Sequence, residues 1–371
     1  MIKYTNCLII ALAVVFFACS GEKPSKAANE LFAEKGIDST QAAMIFNNTV
    51  DFPNNTQVSI ALVTDSTTYF IGIVCRNDTI LSVANEDAHF EIGSISTIMT
   101  AALLSDFIKD GKVGIQDSIS KFLPFQFKDS LEISFGQLAN HTSGLPKVPT
   151  GMLISSLFNM DNPYKNFDDS ALVKYFREDV VLSTEPGESF SNSNLGYGLL
   201  GYTLAKVGEK PFDVLLNERV FAPYKLINTT TKRDSVKNSL IPGLNAEGIT
   251  TSNWDMASLA GAGAVLSTAE DLALFAKAHC DTTDKVLTFA REVEIQGQNK
   301  KFEGMGWTLI DDKGENRWYA QNGSTGGYTA SFVVDPLSCN AVVILSNVSG
   351  SNPYTNRIEE LCLQLMSSLQ K

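Results

Sequence analysis

The first residues whose type and setting could do chemistry are Gly93-Ser94, where an extended stretch gives way to the long apolar run Ile98–Ile108. A serine at the head of a buried helix lies near the positive end of the helix dipole, which favours negative charge developing on a bound oxygen. The same position suits an ordinary helix N-cap, so this segment alone leaves nucleophile and cap side by side. A hydroxyl is a weak nucleophile until a base takes its proton. The chain has only three histidines to offer, His89, His141 and His279. His89 precedes Ser94 by five residues on the extended stretch, His141 lies in a turn-rich segment and His279 at a helix end. Each is read as a scaffold or surface histidine. A carboxylate from the loop Glu185–Glu188 is a further candidate base, without support from spacing. Three histidines are also too few for a His-rich metal site, and nothing indicates an organic cofactor, so neither is expected.

The elements that must position Ser94 follow from the apolar patterning. Val58–Thr64 and Thr67–Cys75 are rich in β-branched and aromatic residues around the turn Asp65-Ser66, which reads as a hairpin. Ile98–Ile108 predicts a buried helix stopped at Gly111, with further helices over Asp169–Phe176, Leu195–Val207 and Ala269–Cys280. Strands return at Met305–Ile310, Arg317–Ala320, Tyr328–Asp335 and Ala341–Asn347. A closing helix spans Pro353–Leu369, with Ile358, Leu361, Cys362, Leu365, Met366 and Leu369 on one face. Strands, a helical middle, then strands and a helix predict an α/β (α+β) fold. Its antiparallel sheet joins both ends of the chain, flanked by helices and an all-helical lobe at about 115–270.

The 371 residues are 44 % apolar and 19 % charged, an ordinary globular balance. Net charge is 29 − 41 = −12, which repels phosphate backbones and excludes nucleic acid as an expected partner. Residues 1–18 read as an export signal: Lys3 leads into the apolar run Cys7–Ala18, too short to span a bilayer comfortably. The run ends at Ala18-Cys19-Ser20-Gly21, which resembles a bacterial lipobox, although Phe16 and Phe17 stand where that motif has Leu and a small residue. Lipidation of Cys19 is preferred over a plain secretory signal, with residues 19–30 as anchor and tether and 31–371 as the domain. The expected partners are a small-molecule or peptide ligand and, through the anchor, a membrane. Cell-envelope localisation follows, with periplasmic or surface face left open. Cys75, Cys280, Cys339 and Cys362 lie in or beside apolar stretches and are expected as buried free thiols.

Five segments then recur in a telling order: HFEIGSISTIMTAALL from His89, GQLANHTSGLP from Gly136, PGESFSNSNLGYGLLGYTLAKV from Pro186, AGAGAVLSTAEDLALF from Ala260 and AQNGSTGGYTASFVVDP from Ala320. From about Val58 to Asn347 the chain resembles the serine β-lactamase-related family of class C β-lactamases, D-Ala-D-Ala carboxypeptidases and family VIII esterases. That resemblance implies a β-lactamase/transpeptidase-like fold and a serine hydrolase site built from three motifs, and the chain departs from each. Ser-x-x-Lys reads Ser94-Ile95-Ser96-Thr97, so the nucleophile is kept and its lysine base is a threonine. Tyr-x-Asn reads Asn192-Ser193-Asn194, with the asparagine kept and the proton-moving tyrosine lost. The strand motif Lys-Thr-Gly or His-x-Gly reads Gln321-Asn322-Gly323. Thr97, Asn192 and Gln321 are neutral near pH 7 and none serves as a base. The resemblance also implies that the amides of Ser94 and Ser324, beside Gly323, form an oxyanion hole and that Asn194 contacts a substrate amide. The preferred expectation is a degenerate member with its cleft intact and turnover lost or strongly impaired. An active esterase or peptidase using Ser94 with an unrecognised base remains the alternative, and a purely structural envelope protein a third.

Overall fold

A computed structural model describes residues 31–32, 36–77, 79–152, 161–296, 301–311 and 317–370. The leader and Cys19 lie outside them. In the described residues apolar side chains alternate along the strands and send two sets to opposite faces of one sheet. Val58, Ile60 and Leu62 on β1 (Gln57–Val63) join one core, while Ala61 and Val63 join the other. β1 pairs antiparallel with β2 (Thr68–Arg76), and β2 with β3 (Thr79–Val83), a strand the sequence pattern had not marked. The short β4 (Phe90–Glu91) leads towards Ser94 and pairs with β5 (Leu266–Ser267). A two-stranded ribbon follows, β6 (Glu294–Gln296) with β7 (Lys301–Glu303).

The main sheet is completed by β8 (Thr308–Asp311), β9 (Arg317–Ser324), β10 (Thr329–Asp335) and β11 (Asn340–Ser346), giving the order β3-β2-β1-β11-β10-β9-β8. Every neighbouring pair is antiparallel, and β1 and β11 meet at its centre with Ile60 opposite Ile344. The two ends of the chain therefore share one seven-stranded sheet, as the patterning predicts. β8 begins later than Met305 because Gly304 and Gly306 take left-handed backbone (φ 75° and 72°), which a strand cannot contain.

Helix α1 (Ser39–Thr49) and the closing helix, Asn356–Ser368, cover one face of the sheet, where Ile358, Leu361, Leu365 and Met366 pack on Ile60, Leu62, Val342 and Ile344. The other face carries α2 (Ser96–Lys109), in which every residue from Ser96 to Phe107 is buried. Helix α3 (Asn194–Gly208), α4 (Ala269–His279) and α5 (Lys285–Glu292) follow; the closing helix is α6. An all-round apolar helix such as α2 belongs at the centre of a fold, and Ser94 stands in the turn immediately before it.

One expectation is corrected. Cys280, just past α4, and Cys339, in the β10–β11 turn, form a disulfide with Cα atoms 5.1 Å apart. They are 59 residues apart in sequence, and the packing of α4 against the sheet brings them together, which spacing alone does not reveal. Cys75 and Cys362 are free and buried as expected, and desolvation pushes their thiols up to about 11 and about 12.

Candidate active-site cleft

Ser94 sits in a single 3₁₀ turn, Gly93–Ile95, directly ahead of α2. Its side chain caps neither helix: the preceding residues in cap position are Ile92 and Ile95, and neither end has a side-chain cap. The simple capping role is thereby excluded. Gly93 adopts φ +51°, and a Cβ there would stand 2.6 Å from Ser324 N. On the facing strand, a Cβ at Gly323 would stand 2.0 Å from Ile92 O and 2.9 Å from Ser94 N. Two glycines are therefore required for β9 to touch the turn, and that contact brings the Ser94 and Ser324 amides onto one wall. The first turn of α2 is tied down from behind: Val265 N–H donates to Ser96 Oγ (3.1 Å) and Thr100 Oγ1 donates to Gly261 O (2.8 Å).

The second wall is the start of α3. Ser193 is its N-cap, accepting from Gly196 N–H (2.9 Å) while donating to Pro146 O (2.7 Å). Ser193 N–H donates to His141 Nδ1 (3.1 Å). The HTSGLP turn thus holds residue 193 from two sides and sets its neighbours Asn192 and Asn194 on the cleft. Asn194 Nδ2 reaches Tyr164 OH at 3.4 Å.

Beneath the cleft floor the substituted positions meet each other. Gln321 Nε2 donates to Thr97 Oγ1 (2.7 Å), and Thr97 Oγ1 donates to Ser94 O (2.7 Å). Thr97 and Gln321, the positions for which the sequence resemblance implies a lysine and an imidazole or cation, are joined in a neutral chain ending on a backbone carbonyl. Among the described residues no side chain hydrogen-bonds Ser94 Oγ.

None of the three histidines is that partner. His89 is held between Asn228 O (2.6 Å) and Ser239 Oγ (2.9 Å), and burial lowers its pKa. His141 is buried, takes left-handed backbone (φ 60°), and desolvation lowers its pKa to about 4. His279 is buried against Arg291, its Nδ1 2.6 Å from the guanidinium, and burial and that cation hold it neutral. Glu188 folds back on the Glu185 amide (3.1 Å) and takes no part in the cleft lining.

The cleft encloses about 440 Å³ and is lined by Ser94, Asn192, Asn194, Gly323 and Ser324 together. Gln321 faces an adjoining hollow of about 250 Å³, shared with Asn192, His141 and Trp307. Larger hollows of about 670 and 790 Å³ lie elsewhere, and Ser94 lines neither. Several lining residues escaped the sequence reading, among them Lys147, Tyr164, Trp254 and Glu359. Lys147 follows directly on the HTSGLP turn, which was a usable signal. Glu359 lies on the closing helix, where only the apolar face had been followed, and Tyr164 and Trp254 come from loop sequence without a pattern. No group of three or more His, Cys, Asp or Glu able to hold a metal occurs among the described residues.

This arrangement, a serine heading a buried helix against the glycine-bearing end of an antiparallel strand, defines a β-lactamase/transpeptidase-like fold. The model of the family described as Beta-lactamase matches residues 72–364, and the chain belongs to that family. Penicillin-binding protein 4 of Amycolatopsis lactamdurans is 26 % identical over 308 residues, covering 75 % of this chain and 77 % of that protein. Beta-lactamase-like protein 4 of Dictyostelium discoideum is 28 % identical over 208 residues, 50 % of this chain, and the match spans only 35 % of that longer relative. Among solved structures, the octameric penicillin-binding protein homologue from Pyrococcus abyssi superposes with a TM-score of 0.73 at 20 % identity, covering 89 % of this chain and 77 % of that one.

Proposed function

We propose that this chain is a ligand-binding member of the β-lactamase-related serine hydrolase family whose hydrolytic turnover is lost or strongly impaired. The observation that carries the reading is the neutral chain Gln321–Thr97–Ser94 carbonyl, with no described side chain on Ser94 Oγ. A positioned general base contributes roughly 10²–10⁴ in rate. The family's lysine, tyrosine and strand cation or imidazole act as one unit, which fails when one member is lost. What persists is the backbone architecture: paired amides at Ser94 and Ser324 and the amide of Asn194 suit a carbonyl or carboxylate group.

A place in the bacterial cell envelope, tethered through a lipid on Cys19, completes the proposal. It is supported by the apolar leader with its terminal cysteine and by the Cys280–Cys339 disulfide, a bond favoured in oxidising compartments. The ligand class that fits is a small molecule or short peptide, peptidoglycan fragments included.

The test is direct. The purified mature domain is treated with a fluorophosphonate, a fluorescent penicillin and p-nitrophenyl esters beside a Ser94→Ala control. No Ser94-dependent labelling or turnover is expected; either one overturns the loss of catalysis. For the anchor, Cys19→Ala is expected to move the protein from the membrane pellet to the soluble fraction.

A further inference from the structure

Among the described residues lining the Ser94 cleft, Lys147 and Glu359 are the basic and acidic side chains; Tyr164 is a phenol whose pKa burial raises. Lys147 belongs to the turn beneath α3, Glu359 to the first turn of α6, on the side of the cleft where Ser324, Gly350 and Thr355 lie. The groups around Glu359 are committed elsewhere. Thr355 Oγ1 is hydrogen-bonded to Thr329 Oγ1 (2.9 Å), and Asn356 Nδ2 donates to Glu360 Oε1 (2.8 Å). Arg357, the cation nearest in sequence, binds Asp51 and lies over the Tyr354 ring. Glu359 lines the cleft, is exposed, and has no hydrogen bond or ion pair among the described residues, so water and a bound ligand are left to balance its charge. The Ser324 side of the cleft is lined otherwise by neutral groups, and the chain's charge of −12 adds to the negative field.

We propose that Glu359 makes this end of the cleft select a ligand bearing a protonated amine, and reject one that brings a carboxylate there. With Lys147 contributed from the other wall, the fitting ligand is an amino-acid or short-peptide derivative whose ammonium group lies at Glu359. This rests on the reading of the cleft as a ligand site and names the ligand's charge. A unit charge facing another across several ångströms of partly solvated cleft changes affinity by about tenfold, an effect that shrinks with added salt.

The experiment uses the mature domain and three matched probes by titration calorimetry: alanyl-alaninamide (cationic), N-acetyl-alanyl-alaninamide (neutral) and N-acetyl-alanyl-alanine (anionic), each as D,D and L,L isomers. The cationic probe is expected to bind about tenfold more tightly than the neutral one. In Glu359→Gln it loses that advantage, the neutral probe is unchanged and the anionic probe gains. Glu359 is exposed, so the variant is expected to fold normally. If the probes bind and the cationic one is indifferent to Glu359→Gln, the charge preference is overturned while the cleft reading stands. If no probe binds either protein, the ligand-site reading itself falls and the preference with it.

Discussion

Gln321 and Gly323 stand two residues apart on β9, facing the same side of the sheet, and they have met opposite fates. Gly323 must be glycine because nothing else fits: the space a Cβ needs is filled by the Ile92 carbonyl at 2.0 Å. Gln321, where the sequence resemblance implies an ionisable side chain, makes a well-formed bond to Thr97. One position is fixed by backbone contact between β9 and the turn that carries Ser94. At the other, the side chain is held by a hydrogen bond that a neutral amide makes well, so packing does not dictate an ionisable group there. The contrast teaches that the backbone geometry around Ser94 and the side chains at the proton-handling positions are set by different constraints.

The sharpest way to break that contrast is to install the ionisable groups that the resemblance implies at these positions. Thr97→Lys, Asn192→Tyr and Gln321→His together are expected to raise p-nitrophenyl ester turnover by roughly 10²–10⁴ over the unmodified domain, lost again on Ser94→Ala. No gain at all would mean that the cleft, and not only its ionisable groups, has been remodelled. The reverse experiment attacks the geometry. Gly323→Ala forces a methyl into backbone and is expected to cost about 3 kcal/mol in denaturant unfolding, where Gln321→Ala costs about 1 kcal/mol. Equal costs at the two positions would erase the distinction.

The same division decides what the sequence could disclose. The seven-stranded sheet and the buried α2 were legible because alternation and continuous apolarity are direct consequences of which faces are covered. β3 was missed because its exposed Thr79, Leu81 and Ser82 show no clean alternation. The meeting of Ser94, Asn194 and Gly323 was legible only through resemblance, since they come from the turn before α2, the start of α3 and β9, far apart in the chain. The Thr97–Gln321 bond spans 224 residues, and no local pattern encodes it. The Cys280–Cys339 pair was misread for the same reason: two cysteines in apolar surroundings look alike whether they are free or bonded. Lys147 and Glu359 were overlooked because an isolated charge at a turn or on a helix's polar side reads as solvated surface.

His141 gives the finest test of the division, because it is scaffold by position and catalytic by residue type. Its Nδ1 accepts the Ser193 amide hydrogen, which fixes the neutral ring as the folded form, and burial lowers its pKa to about 4. In the unfolded chain an ordinary histidine titrates near 6.5. Below that value the unfolded state binds a proton that the folded state refuses, so stability is full above about pH 6.5 and declines as pH falls towards 4. Between pH 7 and pH 5 this single group is expected to remove about 2 kcal/mol of stability. His141→Asn keeps a residue that tolerates the left-handed backbone and offers the Ser193 amide an acceptor. Urea unfolding at the two pH values should therefore show a shallower acid dependence in the variant, with His89 and His279, whose pKa values are also lowered, supplying the remainder. An unchanged slope would mean that His141 is not held neutral by the turn. The anchoring of residues 192–194 would then have to be sought in the Ser193 Oγ contacts with Pro146 and Gly196 alone.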